Sequence, residues 1–282
     1  MTTWTIGDVR ITKVPQMTWR IPLSGLLPEA TPAAAAVRAP GLLADDGMAE
    51  ISLHGLVVEA GGRTILVHTC AGHDAGAESV LDVVRQVGAI TEHHPDVRSA
   101  AAAAGWAPGS IDTVLCTHLH FDHVGGNLAG DEPAFPAARY VLAGDEWAYW
   151  SANESDDVYA SVDSSVRPLV EAGLTDLVDA DHALTDEVRL VPTPGHTPGH
   201  VSVHIDSGGE RAVITGDVAH HPMELLAPEW TMIADVDAPQ AVATRRAFVD
   251  RFGDGETLVL GTHFGGSSAG RLDASAGTWT RV

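Results

Sequence analysis

Three histidines and an aspartate lie within six consecutive positions near the middle of the chain. The stretch CTHLHFDHVGGN begins at residue 116 and contains His118, His120, Asp122 and His123. Imidazole and carboxylate groups suit zinc and similar ions, which take about four donors each. One ion cannot easily use all four side chains of so short a loop, whereas two adjacent ions can. The stretch therefore predicts a metal site that needs further donors from elsewhere.

Three later segments offer these donors. His196 lies in TPGHTPGH, Asp217 in ITGDVAHH and His263 in LVLGTHFGG. Each donor follows a run typical of a β-strand and lies beside Gly or Pro, where the chain can turn. We therefore expect the donor residues to lie directly after strand ends and to form a site at one edge of a sheet core.

Short strands and a few helices must position these side chains. Runs rich in β-branched residues predict strands at 4–14, 51–59, 63–69, 111–117, 139–143, 188–192, 200–206, 211–215 and 257–260. Valines at helical spacing predict a helix that ends at Gly88, and a second helix is predicted over 239–252, before Gly253. Strands outnumber helices in a mixed order, which indicates packed sheets flanked by helices.

The length of 282 residues and a hydrophobic content of 45% are ample for a buried core, and we interpret residues 1–282 as one domain. The segment 20–50 contains several prolines and an alanine run, which predicts a long irregular excursion. Such a segment is either a lid over a site or a plain surface arm. The segment 145–175 is also expected to shape the pocket.

The formal net charge is −22, from 38 acidic and 16 basic residues. Such a surface repels phosphate backbones and anionic lipids, so we expect neither nucleic acid nor membranes as partners, but a small neutral molecule. The sequence leaves open whether the protein forms a homodimer. The N-terminus lacks the features of a signal peptide and no apolar run reaches the ~18 residues of a membrane span, which predicts a cytoplasmic protein.

The two cysteines, Cys70 and Cys116, cannot build a disulfide framework, in agreement with a reducing compartment. Both lie beside loops that carry candidate donors. They are either small buried hydrophobic residues or redox-active thiols.

The HxHxDH stretch and the three later segments together resemble the metallo-β-lactamase fold hydrolases. The resemblance implies an α+β fold, the αββα metallo-β-lactamase sandwich of two mixed β-sheets flanked by helices, with the site between its two halves. It also implies two metal ions and a carboxylate that bridges them. The implied ligands are His118, His120 and His196 for the first metal, Asp122, His123 and His263 for the second, and Asp217 for the bridge.

Two features refine the resemblance. Where the family usually has an aspartate after its early strand, in a run like LVDTG, this chain has His68. His68 either supports the metal loop, or has a purely structural role, or is an extra ligand. The run GDVAHHP resembles the branch that contains quorum-quenching lactonases and methyl parathion hydrolase. His220 holds the position, three residues past the bridging aspartate, that faces the substrate in that branch.

The expected chemistry is hydrolysis by two divalent ions, zinc first, with Mn, Fe and Co left open. The ions share a water, lower its pKa towards ~7 and supply hydroxide, which attacks an acyl carbon. His220 is a candidate donor to the oxyanion, and Asp122 is expected to pass a proton to the leaving alkoxide. We predict a dinuclear hydrolase of lactones or related carboxylic esters.

Other functions stay open at this point. Phosphotriester hydrolysis is the nearest competitor, and β-lactam hydrolysis has no specific support. Mononuclear iron chemistry, with oxidation of thiols or persulfides, would use fewer ligands than the chain offers. A non-catalytic metal-binding protein would not require the intact donor set.

The remaining histidines and one aromatic cluster have structural interpretations. His200 begins a predicted strand and is expected to be structural. Surface or core positions are expected for His54, His73, His93, His94, His182, His204 and His221. The aromatic residues Trp147, Tyr149 and Trp150 either form the core side of a short helix or line the pocket.

Overall fold

The computed structural model describes residues 1–43, 46–72, 89–153 and 157–282. Its strands are β1 (Thr3–Ile6), β2 (Val9–Pro22), β3 (Met48–Ala60), β4 (Arg63–Val67), β5 (Ala89–His93), β6 (Thr113–Leu115), β7 (Leu128–Ala129), β8 (Glu132–Pro133), β9 (Arg139–Ala143), β10 (Thr175–Val178), β11 (Val188–Pro192), β12 (Val201–Ser207), β13 (Glu210–Ile214), β14 (Asp254–Leu260), β15 (Ala269–Asp273) and β16 (Thr278–Arg281). Its α-helices are α1 (Pro32–Arg38), α2 (Val97–Ala103), α3 (Phe121–Val124), α4 (Gly144–Ala152), α5 (Asp157–Ser165), α6 (Arg167–Glu171), α7 (Pro222–Leu226) and α8 (Ala238–Phe252).

The strands form two mixed sheets. The first has the order β1-β2-β3-β4-β6-β9-β10, with β5 paired to β2, and its strands β4, β6, β9 and β10 are parallel. The second runs from β11 to β16 in order and is antiparallel except for the pair β13–β14. In this arrangement β11, β13 and β14 share one direction, so their carboxyl ends lie at the same edge. The segments that follow these three strands carry the later candidate donors.

The two sheets pack face to face through an apolar core. Ile65 and Val67 of the first sheet share one buried cluster with Leu190, Val203 and Leu260 of the second. Helices α2, α4 and α5 cover the outer face of the first sheet, and α8 covers the outer face of the second. These layers form an αββα sandwich, which confirms the predicted fold class.

The structure departs from the predicted elements at several places along the chain. The predicted strand 4–14 is two strands, because Gly7 adopts a positive φ of 55° and turns the chain between β1 and β2. Strands β5, β7, β8, β10, β15 and β16 were not predicted. The predicted helix that ends at Gly88 lies outside the described residues.

The segment 20–50 is more regular than the predicted irregular excursion. Strand β2 continues to Pro22, and β3 already begins at Met48. Between them lies helix α1, whose first turn is capped by the hydroxyl of Thr31 and contains Pro32. Apolar residues of this segment pack on residues 223–232. Its possible role as a lid stays a prediction.

Both cysteines, Cys70 and Cys116, are free and buried. Burial raises the pKa of both thiols, to about 12 at Cys116, so neither is poised as a thiolate. This favours the interpretation as small hydrophobic residues. Within the described residues, no helix combines the length and apolar character needed to cross a bilayer.

Candidate metal centre

The HxHxDH stretch changes from extended chain to helix as it leaves β6. His118 lies in a bend, and His120, whose backbone is extended, is the N-cap residue of α3. The short helix then carries Asp122 and His123. The histidine side chains are buried, whereas that of Asp122 is 22% exposed. The helical turn brings the second pair of side chains back beside the first pair.

Asp217 lies at the centre of the cluster of candidate metal ligands. It lies in a single 3-10 turn, Gly216–Val218, just after β13. Its Oδ2 atom is 3.1–3.6 Å from the Nε2 atoms of five histidines: His118, His123, His196, His220 and His263. Its other carboxylate oxygen accepts a hydrogen bond from the Thr262 hydroxyl at 2.9 Å. One carboxylate oxygen therefore faces imidazoles from both sheets.

The donors fall into two main groups around Asp217. His118, His120, His196 and Asp217 each offer a donor atom, and these atoms all lie within 4.8 Å of one another; the same holds for Asp122, His123 and His263. His220 and His263 form a further group with Asp217. The structure thus brings every candidate donor predicted from the sequence into one cluster.

The spacing of the donors fits metal ions. Nε2 of His196 lies 3.0 Å from Nδ1 of His120, and Nε2 of His263 lies 3.1 Å from Nε2 of His123. Four ligands at ~2.1 Å from one zinc ion lie about 3.4 Å apart, which is close to these distances. Nε2 of His118 is buried and has no hydrogen-bond partner. Since buried polar atoms are rarely left unpaired, this donor set fits metal ligands.

Electrostatics keep several of the rings neutral. Burial lowers the pKa of His118 and His196 well below the ordinary value, and that of His120 to about 3. Burial lowers the pKa of His123, but the carboxylates of Asp217 and Asp122 together outweigh burial and raise the pKa above its ordinary value. A neutral imidazole offers a lone pair to a metal, whereas a protonated one does not.

Residues 54–263 match the metallo-beta-lactamase superfamily. The chain belongs to this superfamily. It is 30% identical over 103 residues to an N-acyl homoserine lactonase of Bacillus sp, and this match covers 36% of each chain, little more than a third of that relative. Among solved structures it resembles hydrolase AbOPH (TM-score 0.80, 23% identity, 99% of this chain and 96% of that chain). It also resembles the dizinc quorum-quenching lactonase AidC (TM-score 0.76, 18% identity, 100% and 96%). The predicted family is confirmed.

His68 replaces the superfamily's usual aspartate and lies behind two of the clustered histidines. Its Nδ1 is 2.9 Å from Nδ1 of His123, and its Nε2 is 2.7 Å from the Thr117 hydroxyl, which also lies 3.1 Å from Nδ1 of His118. These contacts involve the ring nitrogens of His123 and His118 that do not face Asp217. His68 can therefore orient the ring of His123 directly and the ring of His118 through the Thr117 hydroxyl.

His200 and Glu146 hold the loops of the site. Nε2 of His200 accepts a hydrogen bond from the Asp217 backbone N–H at 2.8 Å, in accordance with the structural role predicted for it. The buried carboxylate of Glu146 accepts hydrogen bonds from the backbone N–H groups of Leu119 (3.0 Å) and Gly199 (2.9 Å). Glu146 therefore ties the first histidine loop to the loop of His200.

Sequence reasoning missed Glu146 and Asp235. Glu146 lies in the aromatic run GDEWAYWS, and Trp150 of that run donates to it at 2.7 Å. Asp235 accepts from Nδ1 of His196 at 3.0 Å. The available signal for Glu146 was a carboxylate on the apolar side of a short helix. No local pattern distinguishes Asp235 from the other acidic residues of the chain.

The other histidines and the aromatic cluster have the structural positions that were expected. His54 and His221 are buried, and His221 caps α7. Trp150 belongs to the core on the outer face of the first sheet, and Trp147 and Tyr149 pack against that core. The described histidines that are exposed or half-buried are His93, His94, His182 and His204. His73 lies outside the described residues.

Proposed function

We propose that this protein is a dinuclear metal-dependent hydrolase of lactones or related carboxylic esters. The observation that carries the proposal is the position of Asp217, whose Oδ2 lies within 3.6 Å of five imidazole nitrogens from both sheets. The similarity to N-acyl homoserine lactonases of Bacillus supports the substrate class, although it covers little more than a third of those proteins. We assign zinc as the first choice of metal.

The candidate ligands would be divided between two ions. His118, His120 and His196 would hold the first ion, Asp122, His123 and His263 would hold the second, and Asp217 would bind both. When bound, two such ions lower the pKa of a shared water towards ~7 and so supply hydroxide at neutral pH. The fold contributes the alignment, since donors from two packed sheets need little rearrangement to meet.

His220 supplies a hydrogen-bond donor beside the bridge. Its Nε2 lies 3.1 Å from Oδ2 of Asp217, and its ring stacks on that of His263 with centroids 5.1 Å apart. Burial lowers the pKa of His220, but the carboxylates of Asp217, Glu224 and Asp235 together outweigh it and raise the pKa to about 9. An imidazole carries an N–H in its neutral form as well as in its protonated form, so His220 can donate to an oxyanion that develops at this position.

Asp122 is the candidate for proton transfer. Its two carboxylate oxygens each lie 3.5 Å from a ligand nitrogen, of His123 and of His263. Because 22% of its side chain is exposed, it can reach a substrate as well as a metal. A carboxylate in this position can take the proton of the attacking water and pass it to the leaving alkoxide.

The acidic surface favours a neutral substrate. With a net charge of −22, the protein repels phosphorylated polymers and anionic lipid surfaces. The opening of a neutral lactone is compatible with this charge, and its carboxylate product is repelled. We therefore assign a small neutral lactone or ester as the partner, without nucleic acid or membrane.

Elemental analysis combined with a substrate panel tests the proposal. The panel contains N-acyl homoserine lactones of several chain lengths, an aryl ester, paraoxon and nitrocefin. We expect about two transition-metal ions per chain and turnover of the lactones, with loss of turnover in His120→Ala and Asp217→Ala. His182→Ala, at an exposed position, is the control. Turnover by metal-free protein, or one iron per chain with a visible absorption band, would refute the proposal.

A further inference from the structure

Three buried charged side chains lie behind the ligand cluster. Arg245 is on α8, Glu224 is on α7, and Asp235 is in the loop between the two helices. None of the three side chains is exposed to solvent. Buried charges are costly unless they are paired and hydrogen-bonded, so a group of three requires an explanation.

The guanidinium of Arg245 lies close to both carboxylates and donates hydrogen bonds to two backbone carbonyl oxygens. Its Nη2 lies 3.2 Å from Oε1 of Glu224 and 3.7 Å from Oδ2 of Asp235. Its Nε donates to the carbonyl oxygen of Val218 at 2.7 Å, and its Nη1 donates to that of Trp230 at 2.6 Å. The planar fork of arginine can satisfy several acceptors in fixed directions, which the single ammonium of lysine cannot do.

Three of these partners, Val218, Glu224 and Asp235, each contact or adjoin a different part of the candidate metal centre. Val218 directly follows Asp217 in the chain. The Glu224 carboxylate accepts a hydrogen bond from the backbone N–H of His220 at 2.6 Å. The Asp235 carboxylate accepts from Nδ1 of His196 at 3.0 Å.

The contact between Asp235 and His196 has a direct consequence for metal binding. A carboxylate that accepts from Nδ1 keeps the proton on that nitrogen and leaves the lone pair on Nε2, the atom that faces Asp217. The backbone N–H of Met232 donates to Oδ2 of Asp235 at 3.2 Å, and the guanidinium of Arg245, 3.7 Å from the same oxygen, supplies the counter-charge that keeps the carboxylate ionised. Without the guanidinium, two buried carboxylates would lose their counter-charge, and both contacts would loosen.

We propose that Arg245 is a positioning residue that aligns His196, Asp217 and His220 through Asp235, Val218 and Glu224. This inference rests on the proposed function only in taking His196 and Asp217 as metal ligands. It requires no particular substrate. The expected effect is the 10- to 100-fold loss of metal affinity that is typical when a partner of a metal ligand is removed.

The test compares zinc binding in four variants with that of the wild-type chain. Arg245→Met removes the positive charge, and Arg245→Lys keeps the charge but lacks the planar guanidinium. Asp235→Asn keeps the shape of the side chain but replaces the negative charge with a neutral amide beside the guanidinium. Arg246→Met is the matched control, since Arg246 is the exposed neighbour on the same helix. Zinc dissociation constants are measured by competition with a chelator, and thermal unfolding is followed with and without zinc.

We expect Arg245→Met and Asp235→Asn to bind zinc about 10- to 100-fold more weakly, Arg245→Lys to be intermediate, and Arg246→Met to match the wild type. Should Arg245→Met fail to fold, the isosteric Asp235→Asn carries the test. The inference is overturned if the folded variants bind zinc as tightly as the wild type and lose only stability of the metal-free protein. If the wild type binds zinc but opens no lactone, the proposed function fails while the variants still decide this inference.

Discussion

Replacing His68 by aspartate should strengthen metal binding. The His68 ring is buried, and burial lowers its pKa well below the ordinary value, so the group behind His123 is neutral. Asp Oδ1 lies the same number of bonds from Cα as His Nδ1, so an aspartate can accept from Nδ1 of His123 where His68 now lies 2.9 Å away. The backbone φ of 67° at this position suits aspartate, which tolerates the left-handed region. His68→Asp therefore adds a negative charge behind a proposed ligand.

The size of the effect follows from the distance between that charge and a metal on the far nitrogen of His123. The contact of 2.9 Å, the width of the ring and a metal–nitrogen bond of ~2.1 Å together give about 7 Å. At an effective dielectric constant of about 20, one unit charge at ~7 Å contributes about 2 kcal/mol for each unit of net charge on the centre. For a net gain of one positive charge at the centre on metal binding, this corresponds to roughly a 30-fold gain in metal affinity.

His68→Asn is the matched control, because it has the shape of the aspartate and can accept the same hydrogen bond without the charge. Zinc dissociation constants for both variants are measured by chelator competition at pH 7. We expect His68→Asp to bind roughly 30-fold more tightly than His68→Asn. Equal affinities in the two variants would show that His68 does not lie behind a metal ligand, and the reasoning would be refuted.

Three further predictions concern the support Glu146, the buried Lys13 of strand β2 and the removal of metal. Glu146→Gln keeps an accepting oxygen for only one of the backbone N–H groups of Leu119 and Gly199 and turns an NH2 group towards the other, so urea unfolding should show a loss of about 1–3 kcal/mol, whereas Asp145→Asn at an exposed position should show almost none. Burial lowers the pKa of Lys13 to about 8, so the unfolded chain binds a proton between about pH 8 and 10.5 that the folded chain does not. The stability of the wild type should therefore rise by about 2 kcal/mol relative to Lys13→Met from pH 8 to 10, and a constant difference would contradict this assignment. Removal of metal by a chelator should lower the melting temperature and abolish turnover, and both should return with zinc but not with calcium, which prefers oxygen ligands.

The local pattern of the sequence was sufficient to predict which side chains come together in the cluster. His118, His196, Asp217 and His263 each follow a strand with clear β-branched character, and strand ends with Gly or Pro are visible without long-range information. The parallel pairs in the two sheets then align those ends, as a layered fold requires. The supports of the donors were not predictable in this way. Arg245 lies next to another arginine in a helix, and only the packed structure shows which of the two is buried.

The division of the ligands between the sheets determines how the centre and the fold depend on each other. In the proposed assignment, the segment after β6 supplies donors to both ions, and the segments after β11, β13 and β14 supply the rest. Under this assignment each ion would be bound by groups from both layers of the sandwich, so metal binding would oppose any separation of the sheets. The residues that support the candidate ligands are divided between the two sheets in the same way. His68 follows a strand of the first sheet, whereas Asp235 and Arg245 belong to segments packed on the second sheet. Changes at His68 should thus affect mainly the ligands from the first sheet, and changes at Arg245 mainly those from the second.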